Sequence, residues 1–249
     1  MTTHRLMANL EQLAVVLVRT RNPLNIGAVA RAMQNFGARD LRLVAPYEAS
    51  FREARSAVGA SAVLGEAREF ASVAEAVADC RLVVGTTAAR RRELEQPLVG
   101  LEQAAAPVRA ALTEGRVALL FGSEKHGLRR EDLEHCHWLV RIATEEAQPS
   151  MNLGQAAAVC LWELAREATP MQPGGEARAV SGELERLGAL WMELLDAGGY
   201  VHPDTKASTA AEVRRMLRRL HVTDADTHLL MGMARKLLWK LRSRDGEGK

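Results

Sequence analysis

The sequence predicts an α/β protein with a mainly parallel sheet, followed by a small all-helical module. Three observations lead there. Short unbroken apolar runs, Leu13–Val18 and Val117–Phe121 foremost, have the length of strands covered on both faces. Segments of helical periodicity alternate with such runs up to about residue 166. Beyond about residue 170 the strand-like runs vanish and amphipathic helices follow one another.

Residues 14–18 form the first strand. The polar turn Arg19-Thr20-Arg21-Asn22-Pro23 follows, then a helix over 25–36 that stops at Gly37, a natural C-terminal cap. Residues 41–44 are the second strand, ended by Pro46, and a helix is expected around 51–58. Ser72-Val73-Ala74-Glu75 spells a capping box for a helix running to Ala78. A strand over 81–85, a helix from about Leu101 to Thr113, a strand over 117–121 and a short helix over 130–136 come next. Residues 138–142 are the last strand and 154–163 a final apolar helix.

Thr169-Pro170-Met171-Gln172-Pro173-Gly174-Gly175 reads as a linker. The expected division is therefore a domain over 1–166, a linker over 167–182 and a helical module over 183–249. In the module, Leu184, Leu187, Trp191, Leu194 and Leu195 mark one helix, ended by Gly198-Gly199. Thr209-Ala210-Ala211-Glu212 caps a second, with Val213, Met216, Leu217 and Leu220 on its apolar face. A third begins near Thr223 and carries Leu230, Met233, Leu237 and Leu241 as core or, second, as dimer contact.

Composition narrows the function classes. Across 249 residues, 33 Lys+Arg stand against 31 Asp+Glu, a net charge of +2, which excludes a polycation or an acidic tail but not a localised nucleic-acid surface. Aromatics at 4% argue against a platform stacking many bases. No run approaches the roughly 20 apolar residues of a membrane span, and the N-terminus leads into no signal-peptide core. Cys80, Cys136 and Cys160 are far apart and form no CxxC, so a reducing, cytoplasmic setting is expected.

Ligands of open α/β sheets bind at the carboxyl ends of strands. Four loops lie there: Asn22 to Gly27, which runs into the helix carrying Arg31; Gly85-Thr86-Thr87-Ala88; Phe121 to Leu128; and Gln148 to Gly154. None is a G-x-G-x-x-G, Walker A or G-x-S-x-G pattern. His126, His135 and His137 are close in sequence, but H-x-H beside one cysteine is a weak metal signal, and no metal is expected.

These loops carry a family resemblance. Asn25-Ile26-Gly27-Ala28-Val29-Ala30-Arg31, then Leu119-Leu120-Phe121-Gly122-Ser123-Glu124-Lys125-His126-Gly127-Leu128, then Ser150-Met151-Asn152-Leu153 resemble the three ordered motifs of SpoU-type RNA 2′-O-methyltransferases, of the SPOUT or α/β-knot group. The resemblance spans about 14–164. It implies a deep trefoil knot, against the general expectation of unknotted chains, a homodimer with each active site near the subunit interface, and S-adenosyl-L-methionine bound bent in the knot loops. The early first motif, the Val84 to Ala88 segment and the helical extension resemble the TrmJ branch, which methylates a pyrimidine ribose in the anticodon loop of tRNA. The same reaction on ribosomal RNA, and a catalytically silent RNA-binding protein with this fold, are the alternatives.

The resemblance assigns residues. Arg31 is expected to contact the reacting ribose or its phosphate. A guanidinium is a poor base, so electrostatic and hydrogen-bonding help is its physical role. Asn25 positions Arg31 or the nucleotide, or caps its helix. Glu124 pairs with a basic residue, Arg31 being one candidate, or is a surface carboxylate. Ser150 meets the cofactor or the ribose hydroxyl, or caps the following helix; Asn152 fixes the loop or meets the cofactor. The implied cofactor cradle is Thr86, Thr87, Ala88, Gly122, Ile142, Pro149, Ser150 and Met151. RNA contacts are expected from Arg19 and Arg21, from Arg90, Arg91 and Arg92, from Arg129 and Arg130, and from a stripe of Arg214, Arg215, Arg218 and Arg219.

Overall fold

The computed structural model describes residues 10–47, 62–88, 94–166 and 177–246, with side chains to Ser243. Seven parallel strands form one sheet: β1 (Leu13–Val18), β2 (Asp40–Val44), β3 (Arg68–Phe70), β4 (Leu82–Thr86), β5 (Leu98–Gly100), β6 (Val117–Phe121) and β7 (Trp138–Arg141). Their order is β3-β2-β1-β6-β4-β7-β5, all pairs parallel. The chain first builds outward from β1 to β3. It then restarts on the other side of β1, so that β6 is inserted between β1 and β4, and β7 between β4 and β5.

Alternation along β1 and β6 divides the interior. Leu13, Val15 and Leu17 of β1, with Val117, Leu119 and Phe121 of β6, enter one core; Ala14, Val16, Val18, Ala118 and Leu120 enter the other. Both sets are buried, which is why these strands read as continuous apolar runs rather than alternating ones. The larger core is closed by α1 (Pro23–Asn35), α2 (Ala62–Gly65), α4 (Leu101–Glu114) and α6 (Leu153–Ala165). The other face carries α3 (Val73–Ala76) and α5 (Arg130–Leu133). Local signals explain the helix starts. Pro23 opens α1 behind Asn22, whose side chain accepts from Leu24 N at 2.9 Å. Ser72 Oγ accepts from Glu75 N at 3.2 Å, as its capping box predicts, although α3 ends at Ala76.

Three longer helices follow: α7 (Ser181–Ala197), α8 (Lys206–Arg219) and α9 (Asp224–Gly246). They share a core of Leu184, Leu187, Val213, Leu217, Val222 and Met231. They also grip the sheet layer. Ser181 N donates to Cys80 O and Gly182 N to Ala78 O, both at 2.7 Å, and Arg81 Nη1 reaches Asp224 Oδ2 at 2.8 Å.

Several expectations change. β3 and β5 went unread because each is a three-residue edge strand with little burial. The helix expected over 51–58 and the linker residues 167–176 lie outside the described residues. The rest of that linker is structured: Ala179 N donates to Val222 O at 2.9 Å, and α7 starts at Ser181. Thr209 is interior to α8, which starts three residues earlier behind a 3-10 turn at Pro203–Thr205. On α9 the inward residues are Thr227, Met231, Ala234 and Leu238, so Met233 and Leu237 face outward.

Candidate active site

The strand ends β1, β4, β6 and β7 lie side by side, and their loops meet there. Gly122 follows β6. A Cβ at this position would lie 1.9 Å from Gly127 C and 2.0 Å from Leu128 N, so only glycine lets the loop fold back on itself. Gly127, with φ +64°, completes that turn, and its N–H donates to Ser123 O at 2.8 Å. The turn projects Glu124, Lys125 and His126. After β4, Thr86 Oγ1 donates to Leu120 O at 2.9 Å and Thr87 N to Val140 O at 3.0 Å. The loop after β7 ends at Asn152, which caps α6 by accepting from Gly154 N at 2.9 Å.

One hydrogen-bonded row crosses the three motifs. Glu124 Oε1 accepts from Asn25 Nδ2 at 3.0 Å, and Asn25 Oδ1 accepts from Asn152 Nδ2 at 2.9 Å. Asn152 Oδ1 in turn holds the N-terminus of α6. The orientation of both amides follows. A carboxylate only accepts, so Asn25 must turn its NH2 to Glu124, and its oxygen then needs the NH2 of Asn152. Glu124 also takes Asn22 N at 3.1 Å and Arg21 N at 3.3 Å. Burial would raise its carboxyl, but these donors outweigh burial and hold it below the usual carboxylate range. Glu124 is therefore an ionised clamp on the first motif, and Arg31 is not its partner.

Two adjoining cavities flank this row. The first, about 460 Å³, is lined by all eight residues of the expected cofactor cradle, together with Asn25, Glu124 and Asn152. The second, about 550 Å³, is lined by Arg21, Asn22 and Pro23 and shares Asn25, Ser123, Glu124, Lys125 and His126 with the first. Sequence reasoning missed Ser123 and Lys125; their place inside a quoted motif was the available signal. Ser150 lies in the first cavity wall but is not the helix cap, a role taken by Asn152. Asn25 is not a cap either, since Asn22 is.

Arg31 is exposed and lines neither cavity. Six residues at about 100° each turn it about 240° round α1 from Asn25. The two do not reach one mouth within a chain.

The basic clusters separate into two kinds. Arg21 and Arg129 are exposed near the site, and Arg19 is partly buried against Asp132. Arg90 and Arg91 lie outside the described residues. Of the stripe on α8, Arg219 is exposed, whereas Arg214, Arg215 and Arg218 are engaged within the protein. Arg218 is 1% exposed; it donates to Glu185 Oε1 at 2.6 Å and to His135 O at 2.9 Å. Arg214 pairs with Glu134 at 2.9 Å and Glu185 at 3.3 Å, and Arg215 pairs with Glu95. These arginines fasten α8 to the α/β layers. Burial would raise the Glu185 carboxyl, yet His135, Arg218 and Arg214 hold it far below the usual range.

His137 is structural as well: it is buried, its Nδ1 accepts from Val83 N at 3.1 Å, and burial keeps it neutral. Among the described residues no cluster of His, Cys, Asp and Glu could hold a metal, and no helix is long and apolar enough to cross a membrane.

Residues 12–162 match the SpoU rRNA Methylase family. The chain belongs to that family. It is thus an RNA 2′-O-methyltransferase. A tRNA (cytidine/uridine-2′-O-)-methyltransferase TrmJ of Cronobacter sakazakii is 32% identical over 90% of this chain and 95% of its own. The counterpart from Klebsiella pneumoniae is 33% identical over the same shares. The crystal structure of TrmJ from Z. mobilis ZM4 superposes with a TM-score of 0.77 at 34% identity, covering 90% of this chain and 98% of the other. The family match ends near α6, whereas both kinds of TrmJ likeness extend over the C-terminal helices as well.

Proposed function

We propose that this protein is an S-adenosyl-L-methionine-dependent tRNA ribose 2′-O-methyltransferase. It acts on a cytidine or uridine of the anticodon loop, as a cytoplasmic homodimer with a trefoil knot tied by the loops after β6 and β7. The observation that carries this reading is the convergence of three distant motifs on two adjoining cavities that share Asn25 and Glu124. The substrate class follows the relatives, which are tRNA methyltransferases matched over nearly their whole length.

The first cavity suits the cofactor. Its volume lies within the roughly 300–1,000 Å³ of small-molecule sites. Val140, Ile142, Leu153 and Ala156 offer an apolar wall for a flat base, and Thr87 and Ser150 offer polar groups. When bound, S-adenosyl-L-methionine supplies a methyl group on a sulfonium centre that is its own leaving group. The second cavity then takes the target nucleotide, with Lys125 on its wall for a phosphate. Asn25, held by Glu124 and Asn152, stands between the two and fixes the approach of the ribose hydroxyl.

Arg31 completes the site from the partner subunit. In its own chain it is exposed and outside both cavities, and the α1/α6 pair exposes Leu24 and Trp162 as apolar contact surface. From the partner it stabilises charge on the 2′-oxygen or anchors the adjacent phosphate.

Mass spectrometry of nucleosides from tRNA and ribosomal RNA, after reaction with labelled cofactor, tests the substrate. Label in 2′-O-methylcytidine or 2′-O-methyluridine of tRNA is expected; label confined to ribosomal RNA overturns the assignment. Arg31→Ala should abolish transfer while retaining cofactor binding. Mixing Arg31→Ala chains with Asn25→Asp chains should restore about a quarter of wild-type activity, because half the dimers are mixed and each carries one intact site. No recovery means that Arg31 acts within its own chain.

A further inference from the structure

The α9 helix presents a face that its own chain leaves bare. Leu229, Met233 and Leu237 are 58%, 51% and 53% exposed, although the opposite residues Thr227, Met231, Ala234 and Leu238 are buried. Asp226 precedes this apolar run by three residues and Lys240 follows it by three. At about 100° per residue, all five side chains fall within about 40° of Met233, so they form a single stripe about 21 Å long. Lys240 is exposed and has no ion-pair partner among the described residues.

The stripe is chemically palindromic. Read from Met233 outward, each side meets a leucine four residues away and a charge seven residues away, acidic on one side and basic on the other. A two-fold axis through Met233 sets Leu229 against Leu237 of a second chain and Asp226 against Lys240 of that chain. A parallel pair would instead oppose Asp226 to Asp226 and Lys240 to Lys240. Isologous contacts require such self-complementarity. Gly232 beside Met233 leaves open space, with nothing within 4 Å of a built Cβ, so another helix can come close. Of the stripe's own two charges one is acidic and one basic, whereas an RNA backbone is met by cations alone; exposed Lys236, about 60° from Met233, lies over the Trp239 ring at 4.4 Å.

We infer that α9 is a homotypic docking surface: two copies of this chain pair through α9, antiparallel and centred on Met233. The contact is independent of the methyl-transfer reading. One helix face covers less than the roughly 800 Å² per partner of a standard interface, so the pairing is reversible and strengthens with concentration or with any second contact between the same chains.

Cross-linking of the full chain tests this. Met233→Cys places two thiols at the axis, and the native Cys80, Cys136 and Cys160 are buried and do not compete. With copper–phenanthroline and air as oxidant, Met233→Cys should give a disulfide-linked dimer. Leu220→Cys, 60% exposed but off the stripe, should give background only. Adding Lys240→Glu to Met233→Cys should lower the yield roughly fivefold at low salt. Asp226→Asn, which keeps an oxygen for its contact with Thr223, should then restore most of it. A Met233→Cys yield no higher than that of Leu220→Cys, or one indifferent to Lys240→Glu, overturns the proposal. So does a background yield accompanied by loss of tRNA affinity in Lys240→Glu, which reassigns the face to RNA.

Discussion

Two of the polar networks that join distant residues of this molecule use their charges differently. At the carboxyl end of the sheet, one carboxylate and two neutral amides align Glu124, Asn25 and Asn152, and their other surfaces border open cavities. Beneath α8, Arg218, Arg214, Glu185 and Glu134 neutralise one another, and Arg218 is sealed from solvent. The first network sets geometry and leaves room for a ligand. The second holds two parts of the chain together and leaves none. An arginine-rich helix is therefore no measure of RNA contact until its partners are known.

Removing one partner of the sealed network should have the largest effect. Arg218→Ala takes from the half-buried Glu185 its shortest ion pair, leaving it Arg214 and His135, and leaves His135 O without its donor. Breaking such a buried pair costs about 3–5 kcal/mol. Urea unfolding of the full chain should show a loss of that size. A loss below about 1 kcal/mol would mean that α8 is held by its apolar contacts alone, and the contrast between the networks would fail.

The site network should be cheaper to damage but more costly to function. Asn25→Asp sets a second carboxylate 3.0 Å from Glu124 and removes the only side-chain donor between them. The partial exposure of Glu124 screens the repulsion, so about 1–2 kcal/mol of stability is expected to go. Methyl transfer should fall far more, because the introduced carboxylate can still accept from Asn152 Nδ2 but is repelled by Glu124 instead of donating to it, and the row loses its alignment. The variant should recover stability as pH falls toward 5, where the paired carboxyls share a proton and regain a hydrogen bond. Denaturation midpoints between pH 8 and 5 measure this.

Glu124 itself gives a smaller, signed effect. Its folded carboxyl titrates below its ordinary value of 4.5. The stability it contributes is complete above about pH 4.5 and is lost as pH falls through the lowered folded value. Glu124→Gln keeps one oxygen but turns an NH2 toward backbone donors. It should be less stable than wild type at pH 7, and the gap should narrow below pH 4.5. A gap that widens in acid would show that Glu124 is not held ionised by Asn25, Asn22 and Arg21.

Much of this was readable without coordinates, for physical reasons. β1 and β6 announce themselves because burial on both faces demands unbroken apolar residues. Gly122 and the Asn22-Pro23 start of α1 are backbone requirements written in residue type. β3 and β5 were silent because an edge strand of three residues needs no apolar run. On α9, leucine and methionine occur on both faces, so the inward face was assigned wrongly; only packing against α7 and α8 distinguishes them. The α8 arginines misled for a related reason. Their acidic partners, Glu95, Glu134 and Glu185, lie on other elements, and no local pattern reports a pairing across 30 to 120 residues.

The finest test sets a spent arginine against an exposed one. Arg129 stands 56% exposed beside the second motif, its only ionic contact among the described residues an exposed pair with Glu131 at 3.4 Å. Arg129→Ala should leave the unfolding midpoint within about 0.5 kcal/mol of wild type. If Arg129 meets a phosphate, tRNA affinity should fall and the slope of log K against log salt should shrink by about one. Arg214→Ala should do the reverse, losing about 1–2 kcal/mol of stability while leaving the salt slope unchanged. Filter binding across a salt series, run beside urea unfolding, separates the two. Should Arg214→Ala change the salt slope instead, α8 would have to release its acids when RNA binds, and the sealed network would be a latch rather than a staple.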